Sequence, residues 1–146
     1  MTLAGTDIDI MPASYATNGT DGDGISAPIV DVGDGTAAAY EGKDVEGKIV
    51  LAGVDQWNEA WIDQYMHEAD LHGAAAIVTY DTGGYATYSD EMINMQDVCA
   101  DDVMPCVSIS AASLRKRSRQ AMTWPRSSWT MRCRRSKAPA TMWSAG

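Results

Sequence analysis

Short apolar runs mark the middle of the chain, and glycine or charged residues bound those at 49–52 and 75–80. They occupy residues 27–32, 49–52, 75–80 and 105–109. Their length and their lack of alternation are typical of strands that are buried on both faces of a parallel sheet. Residues 57–72, between the second and third runs, have the length and spacing of a helix. The pattern therefore predicts a β-α-β crossover with parallel strands.

The predicted helix carries one apolar stripe. The stripe comprises Trp61, Ile62, Tyr65, Met66 and Ala69, which fall close together when spaced by three and four residues. Gly73 lies where a helix ends in a left-handed residue, and Asp55 or Asn58 is suited to cap the start. We expect the stripe to pack on the sheet and the acidic residues to face water. Those acidic residues are Glu59, Asp63, Glu68 and Asp70.

The remaining segments set the domain boundaries. Leu3, Ile8 and Ile10 alternate with polar residues and predict a short first strand, followed by a turn-rich connector. Pro28 opens the apolar run at 27–32, which suits the first position of a strand or an edge strand. Residues 36–40 are expected to form one helical turn. We divide the chain into an N-terminal strand and connector at 1–25, a main domain at 26–114 and a tail at 115–146.

Four sequence segments together resemble a protease-associated (PA) domain over residues 26–114. They are Ala-Pro-Ile-Val-Asp-Val-Gly-Asp-Gly-Thr at 27–36, Gly-Lys-Ile-Val-Leu at 47–51, Gly-Ala-Ala-Ala-Ile-Val at 73–78 and Met-Pro-Cys-Val-Ser-Ile-Ser at 104–110. The resemblance implies an α/β fold, a small swivelling β/β/α domain with a β-α-β core. Such domains are attached to peptidases, sorting receptors or membrane ubiquitin ligases. In peptidases the family implies a non-catalytic lid or substrate-access element.

Charge is divided sharply along the chain. Residues 1–114 hold 20 acidic residues and two lysines, a balance of 2 − 20 = −18, whereas residues 115–146 hold nine basic residues and no acid. The acidity favours solubility, suits a high-salt host and argues against nucleic acid as a partner of the first part. No apolar run is long enough to cross a bilayer, so we expect no membrane partner. The chain opens without a signal peptide, although the resemblance suggests a secreted or cell-envelope parent peptidase.

No metal site is predicted in this chain. His67 and His72 are five residues apart and point about 140° away from each other on a helix, which does not suit a helical zinc site. Asp21 and Asp23 follow a calcium-loop pattern, but the Glu expected downstream is missing. The three cysteines show neither metal-type spacing nor a disulfide framework. They are Cys99, Cys106 and Cys133. We expect no cofactor here and zinc only in a catalytic domain that this chain lacks.

The sequence also lacks a catalytic set. Ser108 and Ser110 lie in a predicted strand without a nucleophile elbow, and Asp101 and Asp102 point oppositely on an extended chain. The long loop at 81–102 is the candidate contact surface, because long loops on a rigid scaffold often carry function. An equally open alternative is a loop that wraps its own domain. The candidate substrate or partner contacts are Asp81, Thr82, Gly83, Gly84, Tyr85 and Tyr88.

The tail at 115–146 has no helical or strand period, and we predict that it is disordered. One interpretation is a basic arm for nucleic acid. The other is a frameshift shortly after Leu114. Because Met and Trp have single codons, shifting the frame back by one base turns Thr141-Met142-Trp143-Ser144 and its neighbours into a fragment that can spell Tyr-Asn-Val-Val-Gly. That fragment resembles the strand that leads from a PA domain into the catalytic domain of di-zinc aminopeptidases.

Three functions therefore remain open. The first is the lid or substrate-access element of a zinc aminopeptidase, truncated before its catalytic domain and inactive alone. Its partners would be peptide substrate and the parent's catalytic domain. The second is a free-standing peptide- or protein-binding module with a basic arm. The third is a PA-like insert of a subtilisin-type serine protease.

Overall fold

The computed structural model of the chain describes residues 2–3, 20, 23–55, 64–83, 89, 91, 93, 105–110, 112–113 and 128–131. Within these residues, strands β1 (Thr2–Leu3), β2 (Ile25–Asp31), β3 (Ile49–Val54), β4 (Ala76–Asp81), β5 (Cys106–Ile109) and β6 (Ser128–Met131) form one sheet. Their order across the sheet is β1-β6-β2-β3-β4-β5. A 3₁₀ turn, Ala37–Tyr40, lies between β2 and β3, and helix α1, Gln64–Leu71, lies between β3 and β4. The predicted α/β architecture and the helical turn at 36–40 are confirmed.

Four neighbouring strands run parallel. β3 pairs with β4 from Ile49↔Ala76 to Val54↔Asp81, and it pairs with β2 on its other side. β5 continues the parallel set beyond β4. The runs predicted at 49–52, 75–80 and 105–109 thus lie side by side, as the crossover prediction requires.

The central strand is buried on both faces. Every residue of β3 is buried, which explains why its sequence is continuously apolar. Val50, Ala52 and Val54 share a core cluster with residues of α1, whereas Ile49 and Leu51 belong to a second cluster on the other face. Burying one such Val, Ile or Leu side chain stabilises a fold by about 1.5–3 kcal/mol.

Helix α1 packs as its stripe predicts. Tyr65, Met66 and Ala69 are buried in the first core cluster. Trp61 and Ile62, with the rest of the predicted helix before Gln64, lie outside the described residues. None of the described helical segments has the length and hydropathy of a membrane span.

The end of α1 is a Schellman motif. Gly73 has φ 71°, its N–H donates to the Asp70 carbonyl at 2.9 Å, and the Ala74 N–H donates to the Ala69 carbonyl at 3.0 Å. Glycine tolerates this left-handed conformation, and the two bonds satisfy carbonyls that the helix leaves open. The helix end predicted from Gly73 is therefore confirmed.

Two predictions about the ends of the chain need correction. The first strand comprises Thr2–Leu3, while Ile8 and Ile10 lie outside the described residues. Residues Ser128–Met131 of the tail form β6, so the prediction of a wholly unstructured tail is wrong for these four residues. β6 pairs antiparallel with β2 and with β1, and main-chain hydrogen bonding to two partners needs no alternating side-chain pattern.

The position of Pro28 also differs from the edge location that the sequence suggested. β2 lies between β6 and β3, so it has a neighbour on each side. Its parallel pairing with β3 begins at Ile29, one residue beyond the proline. The missing N–H of Pro28 is therefore tolerated, because this residue precedes the β3 ladder.

Candidate binding edge

The carboxyl ends of the parallel strands meet at one edge of the sheet, which we call the carboxyl edge. It comprises the last residue of each strand and the residues that follow it: 31–34 for β2, 54–55 for β3 and 81–83 for β4. The edge stays connected beyond the regular ladders. The Gly53 N–H donates to the Gly33 carbonyl at 2.7 Å, and the Thr82 N–H donates to the Val54 carbonyl at 3.1 Å. The first bond joins β3 to the turn after β2, and the second holds the start of the loop after β4 against β3.

A close approach at Gly53 shapes this edge. A Cβ atom on Gly53 would lie 2.6 Å from both Cζ and the hydroxyl oxygen of Tyr80, and 2.7 Å from the Thr82 methyl carbon. Tyr80 and Thr82 thus close over the bare backbone of β3. Any side chain at position 53 would displace them, which gives this glycine a packing role that its backbone angles do not require.

Asp31, Asp34 and Tyr80 bring ionisable groups to this edge. Burial raises the pKa of Tyr80, and the negative charge of Asp31 raises it further. Asp34, in the following turn, accepts hydrogen bonds from the main-chain N–H of Thr36 at 3.0 Å and from its hydroxyl at 2.8 Å. These bonds hold the pKa of Asp34 below its usual value. The edge therefore offers carboxylates and a phenol to a ligand or a partner.

Three of the six predicted contact residues lie on this edge. Asp81 is the last residue of β4 and is buried, Thr82 is exposed, and Gly83 is half-buried. A Cβ on Gly83 would lie 3.0 Å from the Asp55 carboxylate, so the loop leaves β4 in contact with the end of β3. Gly84, Tyr85 and Tyr88 lie outside the described residues.

The buried hydroxyls of the last two parallel strands bond to other hydroxyls. Thr79 and Ser108 are register partners on β4 and β5, and their side-chain oxygens share a hydrogen bond of 2.9 Å. Ser110 and Ser113 share another of 2.9 Å. No histidine takes part in either pair. These hydrogen bonds satisfy hydroxyl groups that would be costly to bury without a partner.

The two histidines have different surroundings. The Nδ1 of His72 lies 2.8 Å from the Glu68 main-chain oxygen, which can only accept, so this nitrogen carries the proton of that bond. The His72 ring also stacks on Tyr40, with centroids 4.4 Å apart, while His67 is exposed. Within the described residues, no three His, Cys, Asp or Glu side chains are grouped to hold a metal.

Comparison with known proteins agrees with this architecture. Residues 17–116 match the PA domain family. The chain belongs to the PA domain family. A search among curated protein sequences found no match.

Solved structures with the same fold include bacterial aminopeptidases. An aminopeptidase from an Aneurinibacillus species is similar with a TM-score of 0.66 and 18% identity, over 90% of this chain and 29% of that enzyme. A zinc aminopeptidase from Bacillus subtilis is similar with a TM-score of 0.65 and 20% identity, over 92% of this chain and 30% of the other. A peptidase precursor from Shewanella amazonensis is similar with a TM-score of 0.54 and 18% identity, over 80% and 28%. This PA domain thus spans under a third of each.

Several residues of this PA domain edge escaped the sequence analysis. Asp31, Gly53, Asp55 and Tyr80 lie beside the predicted contacts, but the sequence pattern marks them only as strand or cap residues. The parallel crossover is itself the signal that identifies their location, because the carboxyl ends of parallel strands share one edge. The contact between Gly53 and Tyr80 depends on strand register, which the apolar runs do not specify to the residue.

Proposed function

We propose that this PA domain is the non-catalytic lid or substrate-access element of a zinc aminopeptidase. The supporting observation is how much of each chain the structural similarity covers: 90% of this chain matches 29% of an aminopeptidase. The larger part of that enzyme has no counterpart here. Catalytic residues and zinc ligands are expected in that part, and the zinc ion would supply an activated water for peptide hydrolysis there.

The carboxyl edge is the proposed contact surface for peptide substrate or for the parent's catalytic domain. Thr82 is exposed at the point where the chain leaves β4, and main-chain bonding to Val54 fixes its position. A loop that leaves a rigid sheet at a fixed point is suited to present side chains to a partner. The predicted contacts Gly84, Tyr85 and Tyr88 follow it in the sequence.

The tail is proposed to arise from a frameshift after Leu114, in a gene that encodes the whole peptidase. Its composition supports this, because the acidic character of residues 1–114 changes there to a segment with nine basic residues and no acid. Sequencing the surrounding DNA tests the proposal. An open second frame that encodes His, Asp and Glu zinc ligands supports it, and a frame that closes at once on stop codons contradicts it.

An activity assay tests the non-catalytic role of the chain itself. The full chain, with and without added Zn²⁺, is incubated with aminoacyl nitroanilides and with short peptides. A purified aminopeptidase serves as the positive control. We expect no product, because the described residues offer no zinc site and the buried serines bond to other hydroxyls. Zinc-dependent release that stops on chelation would contradict the proposal. Zinc-independent release that a serine-directed inhibitor blocks would favour a serine-protease relationship instead.

A further inference from the structure

A large excess of negative charge distinguishes the first part of the chain. Residues 1–114 have a balance of −18. Within residues 23–46 alone there are six acidic residues and one lysine, a balance of 1 − 6 = −5. All six are exposed: Asp23, Asp31, Asp34, Glu41, Asp44 and Glu46. Asp70 adds an exposed carboxylate on helix α1. Like charges so arranged repel one another in the compact state more than in the unfolded chain.

The two lysines of this part do little to offset the excess. Lys43 donates from Nζ to the main-chain carbonyl of Asp31 at 2.7 Å, and its charge is the smallest of the influences that lower the pKa of Asp34. Lys48 contacts the carboxylate of Asp44 at 2.7 Å, but the Asp44 side chain is 81% exposed. Ion pairs at such exposed positions contribute little to stability.

The core that opposes this repulsion includes several small side chains among its larger ones. Alanines fill central positions in both apolar clusters, namely Ala52, Ala69, Ala74 and Ala76. The whole sequence contains no phenylalanine. Each alanine buries less apolar area than a larger residue would, so the hydrophobic contribution per residue is low. Surface repulsion that acts against a core with several alanine positions lowers the margin of stability.

We propose that this domain folds fully only at high ionic strength. The Debye length is about 10 Å at 0.1 M salt and about 3 Å at 1 M, so concentrated salt removes repulsion between neighbouring surface carboxylates. Salts that are excluded from apolar surface also strengthen burial of the small core. The inference rests on the charge and packing of the described residues and stands apart from the proposed peptidase role.

The basic tail makes a local measurement necessary. Residues 115–146 carry nine positive charges, and β6 within them pairs with β2. Attraction between this tail and the acidic part would weaken as salt increases, which is the opposite dependence. Hydrogen exchange of β3 and β4, in the centre of the parallel set, reports on the acidic part. The full chain is therefore measured by hydrogen-exchange mass spectrometry at neutral pH, from low to molar KCl, with rates normalised to an unstructured peptide.

We expect amide protection of β3 and β4 to rise at least about tenfold from 0.05 to 2 M KCl, as screening removes the repulsion. A triple variant, Glu41→Lys, Glu46→Lys and Asp70→Lys, changes the balance of residues 1–114 from −18 to −18 + 6 = −12. It should be better protected at low salt and show a smaller rise. The matched control Glu41→Asp, Glu46→Asp and Asp70→Glu keeps the charge and should retain the full rise.

Several results would overturn the proposal. Protection of the wild-type chain that stays constant or falls with KCl contradicts it. A charge-reversed variant that keeps the wild-type dependence also contradicts it, because the response would then not arise from surface charge. A charge-reversed variant whose amides show no protection at any salt concentration contradicts the proposal as well. The proposal requires this variant to be more stable than the wild-type chain at low salt.

Discussion

Replacing Gly35 by alanine tests how the turn after β2 is fitted against helix α1. Gly35 has φ +73°, and a Cβ there would lie 3.0 Å from the Tyr65 Cβ and 3.3 Å from the Ala52 Cβ. Gly33, two residues earlier, has φ +60°, and a Cβ added to it would have no other atom within 4 Å. The two glycines share a left-handed backbone and differ in their surroundings. Gly33→Ala is thus a matched control for the backbone effect.

The free energies follow from these two contributions. A left-handed alanine costs about 1–2 kcal/mol, and the smaller entropy of its unfolded chain returns about 0.4–1 kcal/mol. Gly33→Ala should therefore lower the free energy of unfolding by about 1 kcal/mol. Gly35→Ala must also displace the rigidly held Tyr65 or Ala52 atoms, and overpacking of this kind costs about 1–3 kcal/mol more. The expected total is about 2–4 kcal/mol.

Urea unfolding followed by circular dichroism, at one high salt concentration for all chains, measures both values. Gly35→Ala should unfold at clearly lower urea than Gly33→Ala, with an unchanged dependence on denaturant. Equal losses in the two variants would show that α1 does not approach the turn as closely as the structure places it. That result would refute the packing of α1 against the end of β2.

Three further substitutions test other contacts. Thr79→Val should lower the free energy of unfolding by about 1–3 kcal/mol, because it leaves the Ser108 hydroxyl buried without its partner. Adding Ser108→Ala to this variant should recover part of the lost stability, and failure to recover it would contradict the pairing. Tyr40→Phe should not destabilise the chain, since the buried Tyr40 hydroxyl has no hydrogen-bond partner among the described residues. Burial, with the charge of Glu68, raises the pKa of Tyr40 in the folded state. The stability that comes from this raised pKa is complete below about pH 10 and is lost as the pH rises towards the folded-state pKa. Urea unfolding at alkaline pH should therefore show a smaller decline in stability for Tyr40→Phe than for wild type. Gly53→Ala should push Tyr80 into solvent and return the pKa of its phenol towards the ordinary value, which ultraviolet absorbance titration detects; an unchanged titration would argue against the close approach.

The parallel core was predictable because its residues carry a local signal. The continuous apolar run of β3 indicates burial on both faces, and Gly73 marks the end of α1 through its left-handed conformation. In both cases, the local sequence determines the structure: consecutive apolar residues for the core and a single glycine for the helix end. The length and composition of the loop after β4 likewise favour a contact surface, and that role stays a prediction.

Other features depend on partners that are distant in sequence. β6 lies in a segment without strand periodicity and is placed by pairing with β1 and β2. The stacking of His72 on Tyr40 joins the helix end to the 3₁₀ turn, and neither residue signals the other. The proximity of Asp31 to Tyr80 likewise follows from strand order and register. Local pattern does not determine such contacts, because they arise only when the sheet is assembled.

The most direct test of the central claim is an NMR titration of the isotope-labelled full chain with unlabelled peptides. The account predicts chemical-shift changes centred on Asp81, Thr82 and Gly83 and on the strand ends beside them, with the peptides intact throughout. Changes centred instead on the exposed face of α1 around Leu71, or cleavage of the peptides by the chain alone, would contradict it.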